Sequence, residues 1–266
     1  MDGDIKQRLA KIKKDVESYI DYLRENNVTE IISFAGGRKG NNAVSGRPPV
    51  SAAGRSVPPA PAAEKQAPES PAGPPEEELE AIAARVAACS KCALHKTRTK
   101  TVPGQGNCRP DILFIGEAPG EDEDRQGIAF IGRAGQLLTR LIVRMGYARE
   151  EVFIANIIKC RPPNNRKPLP EEMKTCLPYL ERQIAVLKPK VMVLLGATAL
   201  DGLIPSNVPG RTISRTRGKW LEYQGIPVMP TFHPSYLLRN QSAMWDVWAD
   251  MEKVLAHLGR KAPPKK

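Results

Sequence analysis

Four cysteines stand at spacings that could hold a metal or a cluster. Cys89-Ser90-Lys91-Cys92 is a C-x-x-C pair, and Cys160 and Cys176 follow at a wider interval. Thiolate pairs of this kind serve structural zinc, redox exchange and iron–sulfur clusters. Structural zinc usually takes two short-spaced pairs, so the wide second pair suits a bulkier cluster somewhat better. On spacing alone, iron–sulfur, zinc and no metal all stay open. The fifth cysteine, Cys108, lies in the loop Val102-Pro103-Gly104-Gln105-Gly106-Asn107-Cys108 and reads as an ordinary free thiol.

A second set of polar residues follows apolar runs. Gly116-Glu117-Ala118-Pro119-Gly120 comes after Ile112-Leu113-Phe114-Ile115, Asn156 closes the run from Val152, and His233-Pro234-Ser235 comes after Ile226–Thr231. Taken singly, each has a plain structural reading. Asn156 could cap a strand, Phe130 could fill a core, and Glu121 to Asp124 could be a solvated acidic loop. Of three histidines (His95, His233 and His257), only His233 follows a strand end. Gly132 and Gly135 precede a helix, whose first amides can bind a phosphate.

These residues need elements to bring them together. The spacing predicts helices opening at Pro75 and running to Cys89, over Ala134–Met145, Pro170–Leu187, Ala197–Leu203 and Met244–Leu258. It predicts strands at Ile112–Ile115, Val152–Ile158, Val191–Gly196 and Ile226–Thr231. Such alternation implies a three-layer α/β/α fold on a central, mainly parallel, four-stranded sheet. In sheets of this type ligands bind beyond the carboxyl ends of the strands. Glu117, Asn156 and His233 would therefore converge on one edge.

The remaining chain divides by composition. Residues 1–35 form an N-terminal helical segment, in which Ile5, Leu9, Ile12, Val16, Tyr19 and Leu23 make one apolar stripe. It would either dock on its own chain or bind a protein partner. Residues 36–75 are rich in Pro, Ala and Gly and read as a disordered linker. Residues 76–260 make a monomeric main domain, and 261–266 a basic tail. The net charge is +11. Residues 1–75 hold 11 basic against 9 acidic side chains, so the excess sits on the main domain, where it would attract nucleic acid. No stretch approaches the ~20 apolar residues of a membrane span, and no signal core opens the chain. The expected setting is cytoplasmic, prokaryotic and nucleoid-associated, with reduced thiols.

The blocks together resemble the family 4 uracil-DNA glycosylases, the iron–sulfur, thermostable-type class of the uracil-DNA glycosylase superfamily. The resemblance covers about residues 79–258. It rests on Cys89-x-x-Cys92; Val102-Pro103-Gly104; Gly116 to Asp124; Phe130-Ile131-Gly132-Arg133-Ala134-Gly135; Asn156 to Pro163; and His233-Pro234-Ser235-Tyr236-Leu237-Leu238. The family often has Val where this chain has Ile131. A related subgroup traps its sugar through an inserted basic loop ending in His. Arg215-Thr216-Arg217-Gly218-Lys219-Trp220 lacks that His, so ordinary hydrolysis is the expectation.

The resemblance implies a [4Fe–4S] cluster on Cys89, Cys92, Cys160 and Cys176, structural in role. It implies that uracil is flipped out of DNA into a pocket formed by Gly116, Ala118, Phe130, Asn156 and His233. Phe130 would stack on the base, Asn156 would read it, and His233 would stabilise the departing anion. Glu117, then Glu123, would position the attacking water. Gly132, Arg133, Gly135, Arg161, Ser235, Leu237, Leu238 and Arg239 would contact DNA, with Arg166 and Lys167 as further phosphate contacts and Leu237 or Leu238 filling the gap in the duplex. Two rivals fit the same charge and thiols: a DNA-associated iron–sulfur redox or scaffold protein without hydrolase activity, and a zinc-containing nuclease.

Overall fold

The computed structural model describes residues 73–205 and 211–263. The segment expected over 1–35 and nearly all of the expected linker lie outside the described residues. The elements are α1 (Pro75–Ala87), β1 (Gln105–Gly106), β2 (Ile112–Gly116), α2 (Glu121–Gln126), α3 (Arg133–Arg144), β3 (Phe153–Asn156), α4 (Pro170–Leu187), β4 (Val191–Leu195), α5 (Ala197–Leu203), α6 (Ile213–Thr216), β5 (Leu221–Tyr223), β6 (Ile226–Thr231), α7 (Pro234–Leu237) and α8 (Met244–His257).

β2, β3 and β4 are buried on both faces along their whole length, as continuous apolar runs require in a covered parallel sheet. Alternate residues of one strand enter different cores. Ile112 and Phe114 pack with Leu138 and Ile142 of α3 and Val254 and Leu255 of α8. Leu113 and Ile115 pack with Leu180 and Ile184 of α4 and Leu200 and Leu203 of α5. The sheet thus carries helices on both sides, the expected three layers. α1 begins with Pro75 and three acidic residues in its first turn, a start that suits the helix dipole. Its Ile82 and Val86 bury against Val186 of α4.

The sheet has six strands in the order β1-β3-β2-β4-β6-β5. The four expected strands form its parallel centre, and β1 and β5 add antiparallel edges. Four was therefore too few. The missed strands are Gln105-Gly106 and Leu221–Tyr223, too short and too exposed to show an apolar run. Parallel pairing places the strand ends together: Gly116 sits opposite Asn156, and Leu195 opposite Thr231. Among the described residues no helix is long and apolar enough to cross a membrane.

Candidate active site

A cavity of about 240 Å³ opens at this edge, and its lining includes Glu117, Ala118, Glu123, Phe130, Asn156, His233 and Ser235. The register of β2 and β3 sets one wall. A Cβ built on Gly116 would fall 2.4 Å from Phe130 Cζ and 2.5 Å from Asn156 Oδ1. Only glycine lets the ring and the amide meet there. Asn156 is 1% exposed, and its Oδ1 is buried with no hydrogen-bond partner. A buried acceptor left unpaired costs about 1–3 kcal/mol, so the site carries a cost that a ligand N–H would relieve.

Phe130 has φ 51°, the left-handed region, which costs a bulky residue of order 1–3 kcal/mol. The surroundings hold it there. A Cβ on Gly135 would lie 1.9 Å from the Phe130 carbonyl carbon, so α3 can pass under this loop only as glycine. Glu123 Oε1 accepts from the amides of Ile131 and Gly132, both at 2.9 Å. Arg149 donates to the Ala129 carbonyl at 2.6 Å and to Thr139 Oγ1 at 2.8 Å. Arg149 was absent from the sequence expectation. Its partner is a main-chain carbonyl twenty residues away, which leaves no motif to read.

His233 enters from the far side, two residues past β6. Its Nδ1 accepts from the Ser235 amide at 3.1 Å and lies 2.8 Å from Ser235 Oγ. Acceptance at Nδ1 places the ring proton on Nε2. Burial, and then the charge of Arg239, pull the pKa down to about 4. The imidazole is therefore neutral near pH 7. Its ring centroid lies 5.7 Å from that of Phe130.

The two carboxylates differ. Glu123 is committed to the loop amides. The Glu117 carboxylate has no protein hydrogen bond among the described residues and lines the cavity. The acidic run around them is a helix rather than a solvated loop: Asp124 is buried and accepts from the Thr99 amide through both oxygens.

Outside the cavity, Arg133 and Arg239 are exposed. Arg161 is held by Asn165 Oδ1 at 2.8 Å. Arg166 lines the cavity rim and is bound twice by Glu172, at 2.6 and 2.9 Å. Leu237 is 3% exposed and belongs to the core, while Leu238 is 36% exposed. Of the two candidates for filling a gap in a duplex, only Leu238 points outward.

The four cysteines line a second cavity, with Lys91, His95, Arg98, Lys159 and Tyr179. Cys160 Sγ accepts from Arg98 at 3.1 Å, and Cys176 Sγ accepts from the Lys159 amide at 3.3 Å. Burial pushes the Cys176 thiol up to about 11. Among the described residues no three His, Cys, Asp or Glu side chains converge on a point that would hold a single ion. The donor set is four sulfurs around a shared space, with no carboxylate lining it and basic side chains at its rim. That chemistry fits an anionic, thiolate-bound group wider than one ion. Cys108 stands apart, 2.5 Å from Glu76 Oε1.

The family model described as the uracil DNA glycosylase superfamily matches residues 103–258. The chain belongs to the uracil DNA glycosylase superfamily. Among its relatives, a type-4 uracil-DNA glycosylase of Thermotoga maritima is 49% identical over 168 residues, 63% of this chain and 86% of the relative. A second type-4 enzyme, of Archaeoglobus fulgidus, is 41% identical over 70% of this chain and 96% of the relative. A third, of Saccharolobus solfataricus, is 44% identical over 70% of this chain and 88% of the relative. The superfamily match takes in the cavity residues from Gly116 to His233 and the cysteines Cys160 and Cys176. It begins after Cys89 and Cys92, so the first pair stands on the structure and on its own spacing.

Proposed function

We propose that this protein is a uracil-DNA glycosylase: it takes uracil out of DNA and hydrolyses the N-glycosidic bond, leaving an abasic site. The observation that carries this reading is the unpaired Oδ1 of Asn156, buried beside the Phe130 ring and opposite a neutral His233. Oδ1 accepts from uracil N3–H while the amide nitrogen donates to O4. Cytosine presents the reverse pattern at both positions. It would leave buried polar groups unpaired, which is a strong ground for rejection.

As the bond breaks, negative charge grows on the departing base. His233 Nε2–H, fixed by the Ser235 contacts at Nδ1, donates to uracil O2 and stabilises that charge. Glu117 has a free carboxylate to orient the attacking water and to face the cationic sugar. Glu123 acts one step back, by holding the loop that carries Phe130. The N-terminus of α3, at Gly132 and Arg133, receives a phosphate. Arg239 and Arg161 add backbone contacts, and Leu238 fills the vacated stack.

Cys89, Cys92, Cys160 and Cys176 would hold a [4Fe–4S] cluster. Its contribution when bound is a cross-link between the end of α1, the segment after β3 and α4. The hydrolysis itself moves no electrons, so every chemical step rests on the side chains at the strand ends. The domain over residues 76–260 carries this activity.

The test is a labelled duplex with one uracil, incubated with the protein in EDTA and then treated with alkali. Strand scission at the uracil alone is expected. No scission sinks the reading; scission that EDTA abolishes favours a metal-dependent nuclease instead.

A further inference from the structure

We propose that Lys159 is a positioning residue that couples the cysteine centre to the base-reading end of β3. The proposal rests on the glycosylase reading above and deepens it.

Lys159 is 1% exposed, and its four polar contacts reach three segments: the loop at Val102, the end of β3 and, twice, α4. Its amide donates to Cys176 Sγ at 3.3 Å. Its carbonyl accepts from the Val102 amide at 2.8 Å. Its Nζ turns back along the chain and donates to the Asn156 carbonyl at 2.9 Å and to Gln183 Oε1 at 2.7 Å. Gln183 Nε2 in turn donates to the Pro103 carbonyl at 2.8 Å. Gln183 and Cys176 lie seven residues apart on α4, so they share one face of that helix.

The charge arrangement explains why a lysine suits this place. Among the described residues, no carboxylate is paired with the Lys159 ammonium. A buried ammonium without a counter-charge costs several kcal/mol. Lys159 lines the cavity of the four cysteines, and thiolates holding an anionic cluster there would supply a counter-charge. With its charge balanced on the cysteine side, the ammonium can spend its hydrogen bonds on the main chain at Asn156. That carbonyl belongs to the residue whose side chain reads the base. Anchoring it fixes the peptide from which Oδ1 projects, and a shift near 1 Å in such a group can cost about a hundredfold in rate.

The experiment uses the anaerobically purified, cluster-loaded protein and its Lys159→Met variant, which keeps the length of the side chain and removes the donor and the charge. Four quantities are measured: iron content, reduction potential of the bound cluster, melting temperature, and kcat with KM on a uracil duplex. With iron content retained, kcat per loaded cluster should fall about 10- to 100-fold, with KM changing less. The potential should move in the negative direction, because a cation beside the cluster has gone. A lower melting temperature with wild-type kcat per cluster and an unmoved potential makes Lys159 a packing residue and overturns the proposal. If Lys159→Met fails to load iron, Gln183→Met decides. It removes one Lys159 acceptor, and a several-fold loss of kcat at full iron content is expected; wild-type kcat overturns the proposal. Wild-type protein that leaves uracil in place sinks the glycosylase reading itself, an outcome separate from either variant.

Discussion

The strand-end pocket and the cysteine cavity lie four residues apart on the chain, at Asn156 and Cys160, yet they are built on different principles. The pocket is set by the sheet. Register places Gly116 against Asn156, main-chain amides fix His233 and Glu123, and glycines at 116 and 135 make room for Phe130. The cysteine cavity gathers side chains from the end of α1, the loop after β3 and α4, and its sulfurs meet single donors from scattered segments: Arg98 at Cys160, the Lys159 amide at Cys176 and Tyr179 at Cys89. The pocket is preorganised by the fold. The cysteine cavity is assembled from side chains of separate elements, and on the proposed reading a bound cluster would join them.

The comparison is broken most directly by removing one group from each side. Asn156→Ala should lower kcat/KM by about 10²–10³, the range seen when one preorganised polar partner is lost. Its melting temperature should stay level or rise, because the variant deletes a buried unpaired acceptor. Cys176→Ser should do the reverse. Loss of a bound structural centre removes several kcal/mol of folding free energy, and for a domain of this size that lowers the melting temperature by roughly 10 °C. Single-turnover kinetics and thermal melts of both variants check the pair. An Asn156→Ala protein that unfolds early, or a Cys176→Ser protein that melts like wild type, would erase the distinction.

A finer contrast lies within the pocket. Glu117→Gln should reduce kcat by about a hundredfold, since it removes the carboxylate proposed to orient water. Glu123→Gln keeps an acceptor for the Ile131 and Gly132 amides but loses the charge assistance. It should cost about 1 kcal/mol of stability, with a smaller fall in kcat. Equal losses of kcat would mean that the free carboxylate and the committed one share a role.

Much of this was legible in the sequence. Unbroken apolar runs at 112–115 and 191–195 mark strands covered on both faces, and polar residues directly after such runs mark the ligand edge. Asn156, Glu117 and His233 were singled out this way and Phe130 through the family resemblance, and all four line the strand-end cavity. The edge strands were not legible, because two or three half-exposed residues carry no periodicity. Arg149 and Lys159 were missed for a related reason. Both act on main-chain carbonyls, at Ala129 and Asn156, and a carbonyl has no sequence signature. The acidic run was misjudged because the burial of Asp124 depends on the Thr99 amide, brought in from 25 residues away.

The smallest effect expected is in the response to pH, and it tests whether the fold sets the state of the pocket. Burial and Arg239 hold the folded pKa of His233 near 4, against 6.5 for a free imidazole. Above pH 6.5 the ring is neutral whether the chain is folded or unfolded, and it makes no difference to stability. As the pH falls from 6.5 towards 4, the unfolded chain takes up a proton that the folded chain refuses, so stability declines over that window. Below 4 the folded ring protonates as well, Nδ1 can no longer accept from the Ser235 amide, and the decline levels off. Nitrogen-detected NMR of labelled histidine should show one ring titrating near 4 and absent from the Phe130 environment in His233→Asn. The same substitution should flatten the loss of melting temperature between pH 6.5 and 4. A His233 ring titrating near 6.5 would mean that the pocket is open to water, and that the tautomer is set by the bound base rather than by Ser235.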